Sequence, residues 1–130
     1  MDQEPLASRL EQLPGGVLLV GFSGTAGVGS KGNEHGEQMG TVIQRATAEF
    51  RPTALLIDFR GLDYQFGDWI GGPVLSAQKR LGQGRVCVVA AGETRKALSN
   101  LWDLGLNRIV PLMGDIQEAY TYLGMPRPQS

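Results

Sequence analysis

Two stretches decide the fold: residues 54–59 have the sequence ALLIDF, and residues 86–90 have the sequence VCVVA. Each is a short and almost continuous run of apolar side chains, and only Asp58 interrupts the first run with a charge. Runs of this kind are typical of parallel strands that are covered on both faces. We therefore expect both stretches to be central strands of one sheet.

Strand and helix patterns alternate along the rest of the chain, as in an α/β domain with a mainly parallel sheet. Two further strands are predicted from the apolar runs at 17–22 and 109–112, and Pro111 favours an edge position for the second. Asp115 is the predicted N-cap of the last helix. Apolar residues at helical spacing predict helices over residues 37–50, 73–81, 95–104 and 116–123.

Length limits the chain to one domain. A chain of 130 residues buries about two thirds of its surface on folding, which is enough for one core without metal or disulfide support. We assign residues 1–130 to a single domain. It begins with a predicted helix over 5–13, where three leucines repeat at helical spacing, and ends in a frayed tail at 125–130.

Composition excludes several classes of function. The 12 basic and 13 acidic side chains leave no positive excess for a nucleic acid or an anionic membrane. The single cysteine, Cys87, cannot form an internal disulfide, and no Cys/His cluster has metal-site spacing. No apolar run is long enough to span a bilayer, and the acidic N-terminus is not a targeting signal. We expect a cytoplasmic protein with no metal, no cofactor, no nucleic-acid partner and no membrane insertion.

A glycine-rich segment offers one candidate site. Residues 27–32, GVGSKG, match the G-x-G-x-x-G pattern of loops whose backbone amides approach a phosphate at a helix N-terminus. Two spacings oppose this interpretation, because the helical pattern begins only near Glu37 and Asp58 lies farther along the chain than a ribose-binding acid should. We expect residues 24–36 to be a mobile loop without a ligand. The candidate phosphate-binding residues are Gly27, Gly29, Ser30 and Lys31.

An aromatic segment at residues 64–69, YQFGDW, offers the other candidate site. It follows a buried strand at the carboxyl end, where parallel α/β sheets place their binding sites. Either its rings cap the core, or some are exposed and anchor a partner, since Trp and Tyr are enriched at interface hot spots. No catalytic residue is assigned, because the lone His35 lacks an orienting acid and no carboxylate pair has catalytic spacing. The candidate partner-binding residues are Tyr64, Gln65, Phe66, Gly67, Asp68 and Trp69.

From residue 54 to residue 123 the order of elements resembles the STAS domain, the family of anti-sigma factor antagonists and sulfate-transporter tails. The resemblance implies a sandwich of a mainly parallel sheet and helices, with a regulatory and non-enzymatic function. It implies a protein partner, namely a regulatory kinase, an anti-sigma factor or a larger signalling assembly, and it leaves a homodimer open. The matching features are Ile57-Asp58 at the end of a strand, the turn at Gly61, Leu104-Gly105-Leu106 after a helix, Ile109 with Pro111, and the acid-capped last helix.

In the family, a loop with the pattern Asp-Ser-Ser/Ala-Gly precedes the helix, and a partner kinase phosphorylates its first serine. Counted from Gly61, the Asp and Ser positions fall here on Phe66 and Gly67, and the phenol of Tyr64 is the only hydroxyl between Gly61 and Val74. The resemblance therefore implies a STAS-like domain without the serine switch. The alternative is a small phosphate- or nucleotide-binding protein that uses residues 24–36.

Overall fold

Five strands and four α-helices follow one another along the residues that this computed structural model describes, which are 7–25, 30–63, 71–82, 85–103 and 110–124. The strands are β1 (Ala7–Leu13), β2 (Val17–Thr25), β3 (Ala54–Asp63), β4 (Val86–Val89) and β5 (Leu112–Met113). The helices are α1 (Ser30–Phe50), α2 (Gly71–Leu81), α3 (Gly92–Trp102) and α4 (Ile116–Tyr122), and a short 3-10 turn, Pro14–Gly16, joins β1 to β2.

The strands form one sheet in the order β1-β2-β3-β4-β5. β1 is antiparallel to β2, and the other neighbours pair in parallel. β3 and β4 each have a strand on both sides, and every residue of β4 is buried. The prediction that the two apolar runs are central strands is therefore confirmed. The predicted α/β class is also confirmed. The sheet contains β1 in addition to the four predicted strands.

Alternation of the strand side chains divides the core into two clusters, one on each face of the sheet. The first, here called the three-helix face, is covered by α1, α2 and α3, which contribute Met39, Ile43, Ala46, Val74, Ala77, Leu98 and Trp102. The second, here called the α4 face, receives Ala119 and the partly buried Tyr120 from α4 alone. Because one short helix covers less of a sheet than three do, the α4 face leaves room for a pocket.

The helix predicted over residues 5–13 is wrong, because residues 7–13 form β1. The leucine spacing fits a helix, but the turn that follows folds this segment back onto β2, with Leu13 opposite Val17. Gly15 and Gly16 have φ angles of 80° and 81°, which glycine adopts without steric cost. Hydrogen bonds to a neighbouring strand thus outweigh a weak local helix propensity.

The loop expected over residues 24–36 is also wrong, since residues 24 and 25 end β2 and α1 begins at Ser30. Glycines within this helix lower its propensity by roughly 1 kcal/mol each relative to alanine, and they hide the helical pattern. The helix forms nevertheless because Met39, Ile43 and Ala46 pack on the sheet, which is the main source of helix stability in proteins.

The remaining bounds agree more closely. α2 and α3 begin two and three residues before their predicted starts, and α4 begins as predicted with the carboxylate of Asp115 accepting the N–H of Gln117 at 2.8 Å. β5 overlaps the predicted strand at 109–112 only at Leu112 and ends one residue later, and it is an edge strand, as Pro111 indicated. Ile109 and the tail at 125–130 lie outside the described residues.

Candidate functional site

The carboxyl ends of β2 and β3 lie side by side, because the two strands are parallel and Thr25 pairs with Asp63. The glycine-rich segment follows Thr25, and the aromatic segment follows Asp63. Two candidate sites that the sequence predicts separately thus begin at neighbouring positions of one sheet edge. Gly27, Gly29 and residues 64–69 themselves lie outside the described residues, so their assignment stays a prediction.

Ser30 and Lys31, the other two candidate phosphate-binding residues, are the first two residues of α1. The first N–H groups of a helix have no partner within the helix and favour anions. This start removes one objection to a phosphate site, because the helix now opens directly after Gly29. The second objection, the long spacing to Asp58, is unchanged, and Asp58 is in addition engaged by two arginines.

The strand end before the aromatic segment is held on two sides. β2 pairs with it on one side, through Thr25 and Asp63. On the three-helix face the buried hydroxyl of Thr94 donates to the carbonyl oxygen of Leu62 at 2.6 Å, which ties the start of α3 to the end of β3. Beyond the segment, α2 anchors itself through the fully buried Val74. The segment therefore connects two well-packed elements, as binding loops commonly do.

A β-bulge in β3 lies just before this edge. Gly21 pairs with Asp58 but Ser23 pairs with Gly61, so β3 contains one residue more than β2 between these two pairs. Bulges bend a strand and redirect its side chains, and they are common beside functional sites. Here the bulge allows the side chain of Arg60 to fold back onto Asp58.

Asp58 is a buried carboxylate with two arginine partners, and its side chain is 3% exposed. Its Oδ1 accepts the backbone N–H of Arg60 and its Nε, both at 2.9 Å. Its Oδ2 accepts Nη2 of Arg60 at 2.9 Å and Nη2 of Arg9 at 2.8 Å. Nη1 of Arg9 also contacts the carboxylate of Glu11 at 3.5 Å. Both arginine side chains remain partly exposed, by 55% for Arg9 and 40% for Arg60.

These contacts fix the charge of the cluster. Burial alone raises the pKa of Asp58, but the hydrogen bonds of Arg60 and the positive charges of Arg60 and Arg9 outweigh burial, so the pKa lies below its ordinary value. The hydrogen bond to Asp58 in turn raises the pKa of Arg60. Asp58 is therefore ionised at neutral pH and saturated with donors, which leaves it no acceptor for a ribose hydroxyl.

A pocket of about 340 Å³ is formed around the two arginines. A Cβ on Gly21 would lie 2.9 Å from Nε of Arg9, so the absence of a side chain there makes room for the guanidinium. A Cβ on Gly61 would lie 3.1 Å from Cβ of Ser23, which is also tight. The lining residues are Ser8, Arg9, Gly21, Phe22, Ser23, Asp58, Arg60 and Gly61.

The residues alone do not predict this cluster, although one signal is present. A carboxylate inside an apolar strand requires hydrogen-bonding partners, so Asp58 is itself a signal for donor side chains nearby. The contact of Arg9 is not predicted, because a helix over residues 5–13 does not pair with the sheet. The contact of Arg60 is not predicted either, because the alternation of apolar and polar side chains along β3 gives no sign of the bulge.

Cys87 is fully buried in β4, and burial raises the pKa of its thiol to about 12. Cys87 therefore packs as a small apolar side chain. Within the described ranges, no group of three or more His, Cys, Asp or Glu side chains is arranged to hold a metal ion. None of the helices in the described part of the chain is long and apolar enough to cross a membrane.

Solved structures with similar backbones decide which fold this is. An anti-sigma factor antagonist from Mycobacterium paratuberculosis matches with a TM-score of 0.73 and 23% sequence identity, over 92% of this chain and 95% of that one. The chain has the STAS fold. The anti-sigma factor antagonist SpoIIAA in its unphosphorylated form also matches, with a TM-score of 0.56 and 18% identity, over 88% of this chain and 94% of that one.

No family model matches the sequence, and no curated protein matches it. The STAS fold is nevertheless the one that the resemblance of residues 54–123 implied, and the structural match extends it to the N-terminal part of the chain. The predicted fold is confirmed on this ground.

Proposed function

We propose that this chain is a regulatory domain that binds an anti-sigma factor or a related signalling protein through residues 64–69, acts in the cytoplasm and has no enzymatic activity. The observation that carries the proposal is the STAS fold, shared over nearly the whole chain with an anti-sigma factor antagonist at a TM-score of 0.73. The name of that protein implies an anti-sigma factor as its partner, which is the partner class we propose here.

The start of α2 adds support for a binding segment without a serine switch. Counted back from Gly71, the first residue of α2, Asp68-Trp69-Ile70-Gly71 stands where the family pattern has Asp-Ser-Ser/Ala-Gly. Counted forward from Gly61, the Asp and Ser positions fall on Phe66 and Gly67. Neither count gives a serine or threonine. Control by phosphorylation of this segment is therefore absent from the proposed function, and an aromatic anchor takes the serine's place.

Photo-crosslinking tests the partner and the site together. We would place a benzophenone amino acid at Trp69 and, as a matched control, at Tyr122, which is 37% exposed on α4. In lysate of the source cells, we expect an anti-sigma factor to be captured from position 69 and not from position 122. Capture of a second copy of this chain would assign the segment to a homodimer instead. Equal capture from both positions would contradict the proposed site.

Alanine variants at Tyr64, Phe66 and Trp69 then measure the energy of each ring. An exposed anchor is expected to contribute about 2 kcal/mol, so its loss weakens the purified complex by about 30-fold with little change in urea midpoint. If the rings belong to the core, each variant instead loses about 3–5 kcal/mol of stability. Loss of stability with unchanged affinity in the folded fraction would refute the assignment of residues 64–69.

A second candidate function, phosphate or nucleotide binding at residues 24–36, is favoured by one observation: α1 opens at Ser30, directly after Gly29. Thermal shifts with ATP, GTP and NAD test it, because a ligand at 100 times its Kd stabilises the folded state by about 2.7 kcal/mol. A shift that Lys31→Ala abolishes would support this function. Equal melting temperatures with and without each nucleotide would exclude it.

A further inference from the structure

We propose that Arg9 and Arg60 form a binding site for a tetrahedral oxyanion of the phosphate or sulfate class, in the pocket on the α4 face. None of the residues that line it belongs to 64–69, and the proposal does not depend on the partner proposed above. None of its lining residues belongs to α1 either. The argument rests on how Asp58 holds the two guanidinium groups and on what those groups have left to donate.

The two guanidinium groups converge on one atom. Nη2 of Arg9 and Nη2 of Arg60 both donate to Oδ2 of Asp58, at 2.8 and 2.9 Å. The two nitrogens therefore lie no farther apart than the sum of these distances, which a single tetrahedral anion can bridge. Because the anchor is a buried carboxylate, the arginines are oriented before any ligand arrives, and preorganisation of this kind lowers the cost of binding.

Donor groups remain for such a ligand. A guanidinium carries five N–H donors. Arg60 uses its Nε and one Nη2 hydrogen on Asp58, and Arg9 uses one hydrogen on Asp58 and one on Glu11. The remaining donors belong to groups that are 55% and 40% exposed, so an anion from solution can reach them. Guanidinium donors are well matched to phosphate oxygens.

Charge alone does not draw an anion to the pocket, since three carboxylates act on its two guanidinium groups, so recognition depends on the guanidinium N–H groups that remain. Asp58 lines the pocket, but its two oxygens already accept four hydrogen bonds from Arg9 and Arg60. Two further acidic groups act on the arginines without lining the pocket: Glu11 contacts Arg9, and the charge of Asp115 acts on Arg60. They compete with a bound anion, so removal of Glu11 should strengthen binding.

Size and lining also suit an oxyanion. A pocket of about 340 Å³ has room for about ten waters, which is enough for a phosphate with its hydration or with a small organic substituent. Ser8 and Ser23 add hydroxyl groups to the lining. A phosphate monoester therefore fits as well as the free ion, and both carry the same recognised group.

Amide NMR titration of the intact chain tests the site, with inorganic phosphate and methyl phosphate as probes and sodium chloride at matched ionic strength as the blank. We expect saturable shifts at residues 21–23 and 58–61. Arg9→Gln should weaken binding by about tenfold or more, since it removes charge-assisted hydrogen bonds while Arg60 still pairs with Asp58. Glu11→Gln should strengthen binding, and Arg45→Gln on α1, an equal change of charge elsewhere, should leave it unchanged.

Each outcome of the titration supports or overturns the proposal. Saturation by phosphate alone identifies a free anion as the ligand, and tighter saturation by methyl phosphate identifies a phosphate ester. Shifts that chloride reproduces, or an unchanged affinity in Arg9→Gln, would overturn the proposal. If the amide shifts are lost in Lys31→Ala but kept in Arg9→Gln, the anion binds at the glycine-rich segment, and the proposal is overturned as well. Urea midpoints confirm that each variant is folded, and Arg60→Lys, which keeps a positive charge, supplies a second weakening variant.

Discussion

Arg60→Ala is expected to destabilise the protein more than Asp58→Asn, although both changes break the same ion pair. Arg60→Ala leaves a carboxylate that is 3% exposed with only two of its four donors, the backbone N–H of residue 60 and Nη2 of Arg9. Asp58→Asn leaves two guanidinium groups that are partly exposed and can be hydrated. A buried charge that loses its partners costs more than an exposed one.

The structure sets the size of the difference. Arg60→Ala removes two hydrogen bonds between charged groups, each worth roughly 1.5–3 kcal/mol when fully buried. Because the arginine is 40% exposed, solvent screening reduces this sum, and we expect a loss of about 3 kcal/mol. Asp58→Asn keeps an amide oxygen that still accepts a hydrogen bond, so we expect a loss of about 1–2 kcal/mol.

The stabilities of the wild type and of Arg60→Ala also differ in their dependence on pH. In the wild type the pKa of Asp58 is lowered on folding, so its contribution is fully present above the ordinary value near 3.8 and is lost as the pH falls through the folded-state value. In Arg60→Ala the effect of burial, which raises the pKa, is opposed by fewer donors. The difference in stability between wild type and Arg60→Ala should therefore narrow below pH 4.

Urea unfolding at pH 7 and at pH 3.5 measures both effects, with Arg45→Ala on the exposed side of α1 as the control for loss of one arginine. The reasoning is refuted if Arg60→Ala loses no more stability than Asp58→Asn at pH 7. It is also refuted if the difference in stability between Arg60→Ala and the wild type is the same at both pH values. Equal slopes of unfolding free energy against urea are needed for the comparison.

Three further predictions concern the packing and capping described above. Trp102→Ala should lower the free energy of unfolding by about 3–5 kcal/mol, because it empties a fully buried site and leaves the carbonyl of Val110 without its 2.7 Å indole donor; urea unfolding measures this. Cys87 should resist thiol reagents at pH 8 in the folded protein and react once urea unfolds it, since its thiol is buried with a pKa of about 12. Asp115→Ala should cost about 1 kcal/mol by removing the cap of α4, and Asp115→Asn, which still accepts the N–H of Gln117, should restore most of the loss in thermal unfolding.

Much of the fold follows from the sequence because burial leaves a strong pattern. The nearly continuous apolar runs of β3 and β4 indicate burial on both faces and hence central positions, and the N-cap at Asp115 marks the start of α4. These features depend on neighbours in the chain, so they can be predicted from the chain alone.

The errors arise where a distant partner decides the local structure. Residues 7–13 become a strand because β2 offers hydrogen bonds, and residues 30–36 become helical because the helix they extend packs on the sheet farther along. The cluster around Asp58 has the same origin, since Arg9 reaches it across 49 positions of the chain and Arg60 reaches it through a bulge. Pairings of this length leave no periodic trace in the sequence.

The order of the strands, β1-β2-β3-β4-β5, is also the order in which a ribosome makes them. Each of these five strands can dock on an edge that already exists, so none of the five has to be inserted between two others after synthesis. Growth in one direction keeps the separations between paired strands short, which favours fast folding. Because of this order, a nascent chain that stops after β4 already contains both central strands, β3 and β4. Successive truncations from the C-terminus should remove one edge strand of the sheet at a time.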